Sequence, residues 1–117
     1  MNKKLKRLYD GLNLKYWAGN LPPIEIQSSK NLYEYMGLFV WPKSEKFDNL
    51  ESYKIILCSS LTTKEEQRAT ILHEMCHLSV FLGNKEKYWK RRLSWHGLQW
   101  KAEMIRVGFE PPITPYT

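Results

Sequence analysis

The stretch "ILHEMCHLSV" (71–80) places two histidines four positions apart inside a long apolar segment. Residues i and i+4 lie on one face of an α-helix, so the side chains of His73 and His77 can reach the same metal ion. Glu74 is rotated about 100° from His73 at the helical pitch, which aims its carboxylate beside the metal and not at it. The spacing therefore predicts two metal ligands and an adjacent carboxylate on a helix.

The apolar surroundings of these residues favour a metal site over a chance match. Most of their neighbours on the helix are hydrophobic, namely Ile71, Leu72, Met75, Leu78, Val80, Phe81 and Leu82. Polar side chains buried in such a helix are unfavourable unless a partner compensates for their lost hydration. A metal ion provides that partner, and the H-E-x-x-H pattern is typical of zinc hydrolases in which the glutamate is the base. We therefore expect Zn2+ as cofactor and Glu74 as the catalytic residue.

A catalytic zinc usually has three protein ligands and a fourth position for water. His96 is the third histidine of the chain, and we expect it in the first turn of the next helix, folded back to the metal. Gly97 would allow a close backbone approach there. Glu86 and Glu103 are alternative third ligands, and Glu103 is also a candidate acceptor for an imidazole N–H.

Hydrophobic periodicity predicts a helix followed by three short strands. Apolar residues recur at helical spacing over 3–18, and the "GNLPP" segment (19–23) ends that helix. The three strand candidates are 24–27, 35–42 and 53–59. A polar loop over 43–52 connects the second and third candidates.

The helix that carries the two histidines is predicted over 61–83. We expect Thr62 to be its N-cap in a capping box with Glu65, and Gly83 to lie just past its last turn. A connector, another helix and an extended proline-rich tail are predicted over 84–93, 94–108 and 109–117. The order predicts one domain over 1–117 of α+β class, with a small three-stranded sheet, an N-terminal helix, a central H-E-x-x-H helix and a C-terminal helix.

Composition excludes several classes of protein. The chain has 117 residues, 43% of them hydrophobic, and no apolar run approaches the roughly 20 residues of a membrane span. The basic N-terminus is not followed by the apolar segment of a signal peptide. Cys58 and Cys76 are expected as buried thiols in a reducing cytosol, and two cysteines cannot build a four-cysteine zinc ribbon. We expect a cytoplasmic monomer without membrane contacts, nucleoid-associated if the source is bacterial or phage.

The net charge of +6 is concentrated in two segments. Four cations lie near the N-terminus, Lys3, Lys4, Lys6 and Arg7, and "KEKYWKRR" (85–92) contributes another +4 from five cations and one acid. Cations beside aromatic rings suit single-stranded nucleic acid through phosphate contacts and base stacking. The candidate nucleic-acid-binding residues are Lys85, Lys87, Tyr88, Trp89, Lys90, Arg91 and Arg92. The alternative interpretation is a solvated loop whose aromatic residues pack into the core.

Beyond the motif, the chain resembles the SprT-like zinc metalloprotease family, which includes DNA–protein crosslink proteases. The resemblance is carried, in the same order, by residues 12–26, 54–61, 70–80 and 96–112. It implies zinc held by His73, His77 and His96, with Glu74 as general base. It further implies hydrolysis of peptide bonds in DNA-associated or DNA-crosslinked proteins, with single-stranded or damaged DNA as a partner. The chain resembles a bare protease core without the C-terminal zinc ribbon of many relatives.

Two other functions are compatible with the same residues. One is a zinc-stabilised module that binds nucleic acid or protein without cleaving it, and the other is an H-E-x-x-H protease of phage or repressor-cleaving type. Glu74 argues against the module, because a structural zinc site needs no base and usually has four protein ligands. Stabilisation of the oxyanion is not assigned; the candidates, each also explained by packing, are Tyr33, Tyr35, Tyr53 and Tyr88.

Overall fold

The computed structural model describes residues 2–32, 35–111 and 113. Its helices are α1 (Lys3–Trp17), α2 (Lys64–Gly83), α3 (Lys85–Trp89) and α4 (Leu98–Arg106). Its strands are β1 (Glu25–Ser29), β2 (Gly37–Val40) and β3 (Lys54–Cys58). Single 3-10 turns, Glu45–Phe47 and Leu50–Ser52, lie in the segment predicted as a loop. The predicted α+β class with a three-stranded sheet is confirmed.

The sheet is mixed, with the strand order β1-β3-β2. β1 runs parallel to β3, and Ile26 lies opposite Ile55. β2 runs antiparallel to β3 at the other edge, and Phe39 lies opposite the same Ile55. Ile55 and Leu57 of the central strand are buried. The sheet therefore places β2 as an edge strand, and α2 packs against β2 and β3.

Pairing and local turns set the strand ends, which differ from the prediction. The amide of Ile24 bonds to the Pro22 carbonyl, so β1 begins one residue later and continues to Ser29, which pairs with Cys58. β2 ends at Val40, two residues before Pro42, which has no amide to donate. Tertiary pairing thus shifts the strand ends by one to a few residues from the sequence pattern.

The start of α2 differs from the prediction by one residue. The capping box joins Thr63 and Glu66, and the expected Thr62–Glu65 pair is wrong. The Thr63 hydroxyl accepts a hydrogen bond from the Glu66 backbone amide at 3.1 Å, and the Glu66 carboxylate accepts one from the Thr63 backbone amide at 3.3 Å. The sequence "TTKEE" offers both registers, so spacing alone could not separate them.

The end of α2 also differs from the prediction. Gly83 is the last helical residue and not the residue beyond it, and Asn84 takes the capping position. The Asn84 side-chain amide donates to the Val80 carbonyl at 2.9 Å. An amide side chain therefore satisfies a terminal carbonyl that a left-handed glycine was expected to satisfy.

The segment predicted as a connector contains the short helix α3, which ends at Trp89, and Arg91, two residues further on, adopts a left-handed φ of 56°. The C-terminal helix begins at Leu98, four residues later than predicted. His96 therefore lies in the turn before α4 and not in its first turn. The physical reason is Gly97, whose extended backbone (φ −79°, ψ −171°) makes it the N-cap of α4, so that the helical residues begin only after it.

The core lies between the sheet and the helices, and α2 is at its centre. Every residue of α2 from 71 to 78 is buried, together with Val80 and Phe81. Cys76 is buried as expected, whereas Cys58 is half-buried with its Sγ 3.1 Å from the Ser60 hydroxyl. Within the described ranges no helix is long and apolar enough to cross a membrane. The predicted tail (109–117) lies largely outside the described residues.

Candidate metal centre

Three histidines converge where α2 meets the turn before α4. His73 and His77 lie one helical turn apart on α2, and His96 reaches them from the turn at 94–97. One ring nitrogen from each residue lies within 4.8 Å of the other two. His73 and His77 are buried and His96 is half-buried. The fold therefore brings together the three histidines that the motif and the resemblance implied as ligands.

Trp100 contacts all three imidazole rings. Its indole stacks on His77 with a centroid distance of 5.1 Å and an interplanar angle of 7°. The edges of His73 and His96 meet it at 5.2 Å and 4.8 Å. Trp100 is itself 1% exposed. The tryptophan therefore forms a fixed wall against which the three rings are oriented. It had no role at the metal site in the sequence prediction, although its position four residues after His96 in the sequence was a signal.

Burial keeps the histidines neutral. Desolvation, with a smaller contribution from His96, lowers the pKa of His73 to about 4. The pKa of His77 is lowered further by burial and by its two histidine neighbours. Burial and the nearby Lys101 lower the pKa of His96. At neutral pH each ring therefore has a lone pair for a cation.

Two ring nitrogens of this cluster fit poorly into a protein core that lacks a metal. His77 Nδ1 and His96 Nε2 are buried without a hydrogen-bond partner in the described part of the chain. An unsatisfied buried polar atom destabilises a fold by roughly 1–3 kcal/mol. Three neutral imidazoles are also a ligand set found in catalytic zinc sites. The residues present therefore fit the metal that the motif implies.

Glu74 lies beside the histidines in a buried position. Its side chain is 1% exposed, and its Oε2 lies 3.8 Å from His73 Nε2. It lines a cavity of about 230 Å³ together with His73, Thr70 and Gly37. A Cβ on Gly37 would lie only 2.7 Å from Thr70 Cγ2. Glycine at this position therefore lets β2 approach α2 closely beside the carboxylate.

The two alternative third ligands lie elsewhere. Glu86 is exposed and pairs with Lys90 at 2.6 Å. The Glu103 carboxylate accepts hydrogen bonds from Ser79 Oγ, Trp17 Nε1 and Arg106 Nε. Neither belongs to the cluster, and the expected role of Glu103 as an acceptor for an imidazole N–H is wrong in the described structure. Its hydrogen bonds tie α4 to α1 and α2 instead.

The candidate nucleic-acid-binding residues lie on α3 and the turn after it. Tyr88 is 5% exposed and stacks on Trp95 at 4.3 Å. The Trp89 indole donates to the Pro42 carbonyl at 2.8 Å. The aromatic residues are therefore packed, as the alternative interpretation proposed. Of the cations, Lys85 pairs with Asp48 and Lys90 with Glu86, and the exposed remainder are Lys87, Arg91 and Arg92.

None of the described tyrosines lines the cavity beside Glu74. Tyr35 is exposed, and Tyr88 is packed as above. Tyr53 is buried, and its hydroxyl donates to Asp48 at 2.6 Å, while burial raises its pKa. Tyr33 lies outside the described residues. The group that stabilises the oxyanion therefore stays unassigned.

An α+β core in which an H-E-x-x-H helix and a third histidine converge has a site that could hold a metal ion. The SprT-like family model matches residues 5–117, which is nearly the whole chain. The chain belongs to the SprT-like family, and this membership suggests a metalloprotease-like function. Neither the search of curated proteins nor the search of solved structures returns a match.

Proposed function

We propose that this protein is a zinc-dependent endopeptidase in which His73, His77 and His96 hold the metal. The observation that carries the proposal is the convergence of three neutral imidazoles, within 4.8 Å, beside a buried carboxylate. A cluster of this kind is hard to explain by packing alone, because it buries polar atoms that the described protein does not satisfy.

Glu74 is the general base in this proposal. Zinc in such a site supplies a Lewis acid that polarises a carbonyl and lowers the pKa of water. The Glu74 carboxylate accepts the proton of the attacking water and later delivers it to the leaving amine. Its position in the wall of the 230 Å³ cavity gives it access to water and to a substrate backbone. Trp100 and the buried helix keep the three imidazoles fixed while this happens.

The three-ligand set favours catalysis over a structural role. Structural zinc sites are usually closed by four protein ligands, whereas catalytic sites keep one position open. Among the described residues the cluster contains three ligands, and no cysteine or carboxylate joins it. The protein thus has a base and a ligand set with an open position.

We also propose that the substrates are DNA-associated or DNA-crosslinked proteins, and that the enzyme is a cytoplasmic monomer. Family membership supports this substrate class. The net charge of +6 and the exposed side chains of Lys87, Arg91 and Arg92 support contact with phosphates. In the observed packing the contact would be mainly electrostatic, since Tyr88 and Trp89 are engaged in the fold.

The catalytic proposal is tested with a protein crosslinked to single-stranded DNA and with the same protein free of DNA. Zinc-loaded wild type should cleave the substrate, and Glu74→Gln should retain zinc but lose about 10²–10⁴-fold in rate, the usual contribution of a positioned acid–base group. Glu86→Gln, an exposed carboxylate outside the cluster, is the matched control and should behave as wild type. Full activity in Glu74→Gln, or no cleavage by wild type of either substrate, would refute the proposal.

The DNA contact is tested by fluorescence anisotropy with a labelled single strand. We expect weak binding that declines with salt, and the triple variant Lys87→Ala, Arg91→Ala, Arg92→Ala should lower the log–log salt slope by about 2. The control removes equal charge elsewhere, with Lys3→Ala, Lys4→Ala and Arg7→Ala, and should retain the slope. No binding by wild type at low salt, or a larger effect of the control, would contradict the assignment.

A further inference from the structure

A second cavity borders the histidine cluster, and Glu74 is not among the described residues that line it. Its volume is about 530 Å³, and His77 and His96 form the wall that faces the candidate metal site. The opposite walls come from β2, the following residue Trp41 and the turn before α4, through Phe39, Leu93 and Trp95. None of the described residues that line it carries a carboxylate, an ammonium or a guanidinium group. Apart from Ser94 and the two histidines, the walls are thus aromatic and aliphatic, and the cavity opens directly beside two of the three candidate ligands.

The aromatic side chains that line this cavity are fixed by packing against each other and against buried aromatic residues. Trp41 and Trp95 pack against each other with ring centroids 4.8 Å apart. Trp95 stacks on the buried Tyr88 at 4.3 Å, and Phe81, also buried, contacts both tryptophans. A wall fixed in this way is formed before a ligand arrives, so little conformational entropy is lost on binding.

The size of the cavity suits a large side chain. An apolar cavity of about 150 Å³ is sufficient to bind benzene in a well-studied engineered protein. A volume of about 530 Å³ therefore has room for a phenyl or indole group with part of its backbone. The 230 Å³ cavity beside Glu74 is smaller and contains the base, so it serves the reacting water and carbonyl in our proposal.

We propose that the cavity formed by Phe39, Trp41, Leu93 and Trp95 is a specificity subsite for an aromatic or large aliphatic side chain adjacent to the scissile bond. This inference rests on the proposed endopeptidase function and names the class of peptide that it cleaves. The occupant is a side chain of the substrate because the cavity is continuous with the ligand wall of His77 and His96. A residue bound there is next to the reacting carbonyl.

The charges around the subsite exclude basic occupants. The lining lacks a carboxylate, and Lys43 Nζ lies 3.9 Å from the centre of the Trp41 ring. A substrate lysine or arginine would bury its charge without a counterion and close to another cation. Apolar residues gain from leaving water, and the discrimination between them and charged residues should be at least tenfold.

The first test maps the cleavage sites of zinc-loaded enzyme in unfolded β-casein by mass spectrometry. Phe, Tyr, Trp, Leu and Met should be enriched about tenfold over Lys, Arg, Asp and Glu at one of the two positions that flank the cut. Leu93→Glu should shift that position toward Lys and Arg, whereas Leu98→Glu, which is 85% exposed and outside the cavity, should leave it unchanged. Cleavage with no preference at either position would overturn the proposal.

The second test measures binding without cleavage, and it uses a protein in which no residue lining the cavity is substituted. In zinc-loaded Glu74→Gln, N-acetyl-phenylalanine amide should shift the indole NMR signals of Trp41 and Trp95 and leave that of Trp17 in place. N-acetyl-alanine amide should shift them at least tenfold less at the same concentration. Shifts that do not depend on the side chain would overturn the subsite. A side-chain-dependent shift in this variant, together with no peptide cleavage by zinc-loaded wild type, would refute the proposed function and leave the subsite standing.

Discussion

His73 and His77 were predictable because their relation is local. Four residues of helix place two side chains on one face whatever the rest of the chain does. His96 required knowledge of where a later segment folds, and spacing alone left Glu86 and Glu103 as rivals. Its backbone setting was predicted wrongly, since Gly97 delays the helix. Trp100 was not assigned a site role because its contacts with the three imidazoles, one stacked and two edge-on, depend on the tertiary fold.

Trp100 should act as a positioning residue for the metal ligands. Trp100→Phe keeps an apolar ring but loses the large indole surface on which His77 stacks. We expect zinc affinity, measured by competition with a chromophoric chelator, to fall about 10–100-fold, as for other residues that orient ligands. Trp89→Phe removes a half-buried indole that packs on Phe81 and has no ring contact with the described histidines, and it should leave zinc affinity unchanged.

A purely structural role of Trp100 makes a different prediction. If Trp100 only filled the core, Trp100→Phe would lower the free energy of unfolding without altering the site. The absorption spectrum of the Co2+-substituted protein separates the two cases, because it reports the geometry of the ligands. We expect a changed spectrum in Trp100→Phe; a wild-type spectrum with wild-type affinity would contradict the positioning role.

The sequence predicted the type and order of the helices and strands better than it predicted the residues at which they begin and end. The alternation of β3 and the long apolar α2 are strong local patterns, and both were found. The ends of β1 and β2 depend on pairing with β3. The helix α3 has only five residues, and its charged and aromatic sequence does not predict a helix. The two 3-10 turns in the loop are likewise set by local hydrogen bonds such as that from the Ser52 hydroxyl to the Phe47 carbonyl.

The contact between β2 and α2 makes Gly37 sensitive to substitution. Gly37→Ala should push the edge strand away from the site, because its Cβ would clash with Thr70 Cγ2 at 2.7 Å. We expect a loss of about 1–3 kcal/mol in the free energy of unfolding, and reduced cleavage. Thr70→Ser removes the clashing methyl group, so the double variant should regain most of the stability.

The control for this prediction is another glycine. Gly11→Ala lies in α1, where a new Cβ meets nothing within 4 Å, and alanine should stabilise the helix by about 0.5–1 kcal/mol. Urea unfolding of the four proteins measures all of these differences. Equal stability of Gly37→Ala and wild type, or no rescue by Thr70→Ser, would show that the close approach does not constrain the site.

At the scale of the whole molecule, Glu103 ties three helices together. Its carboxylate accepts hydrogen bonds from Trp17 of α1, Ser79 of α2 and Arg106 of α4. Burial alone would raise the pKa of Glu103, but the hydrogen bonds donated by Arg106, Ser79 and Trp17 outweigh it and lower that pKa. Arg106 also donates to the Tyr16 carbonyl at 2.8 Å, so a further hydrogen bond joins α4 directly to α1.

This network predicts a pH dependence of stability. Because the folded pKa of Glu103 lies below the unfolded value, its stabilisation is present above the unfolded pKa of about 4.3 and is lost as pH falls through the folded pKa. In metal-free protein, Glu103→Gln should be less stable than wild type by roughly 1–3 kcal/mol at pH 7. The difference should shrink below pH 4 in urea unfolding.

The control for the pH prediction is Glu51→Gln, at an exposed position away from the network. Its free energy of unfolding should equal that of wild type at every pH, because the substitution removes an equal charge that has no buried partner. A Glu103→Gln difference that stays constant from pH 7 to pH 3 would mean that the ionised carboxylate does not stabilise the fold.

The central claim is that three histidines form the zinc site, and zinc K-edge X-ray absorption tests it most directly. Wild type loaded with one equivalent of zinc should show three imidazole nitrogens at about 2.0–2.1 Å and no sulfur near 2.3 Å, although Cys76 is adjacent to His77. His96→Ala should show two imidazoles and bind zinc far more weakly. A sulfur ligand in wild type, or a wild-type spectrum from His96→Ala, would contradict the account.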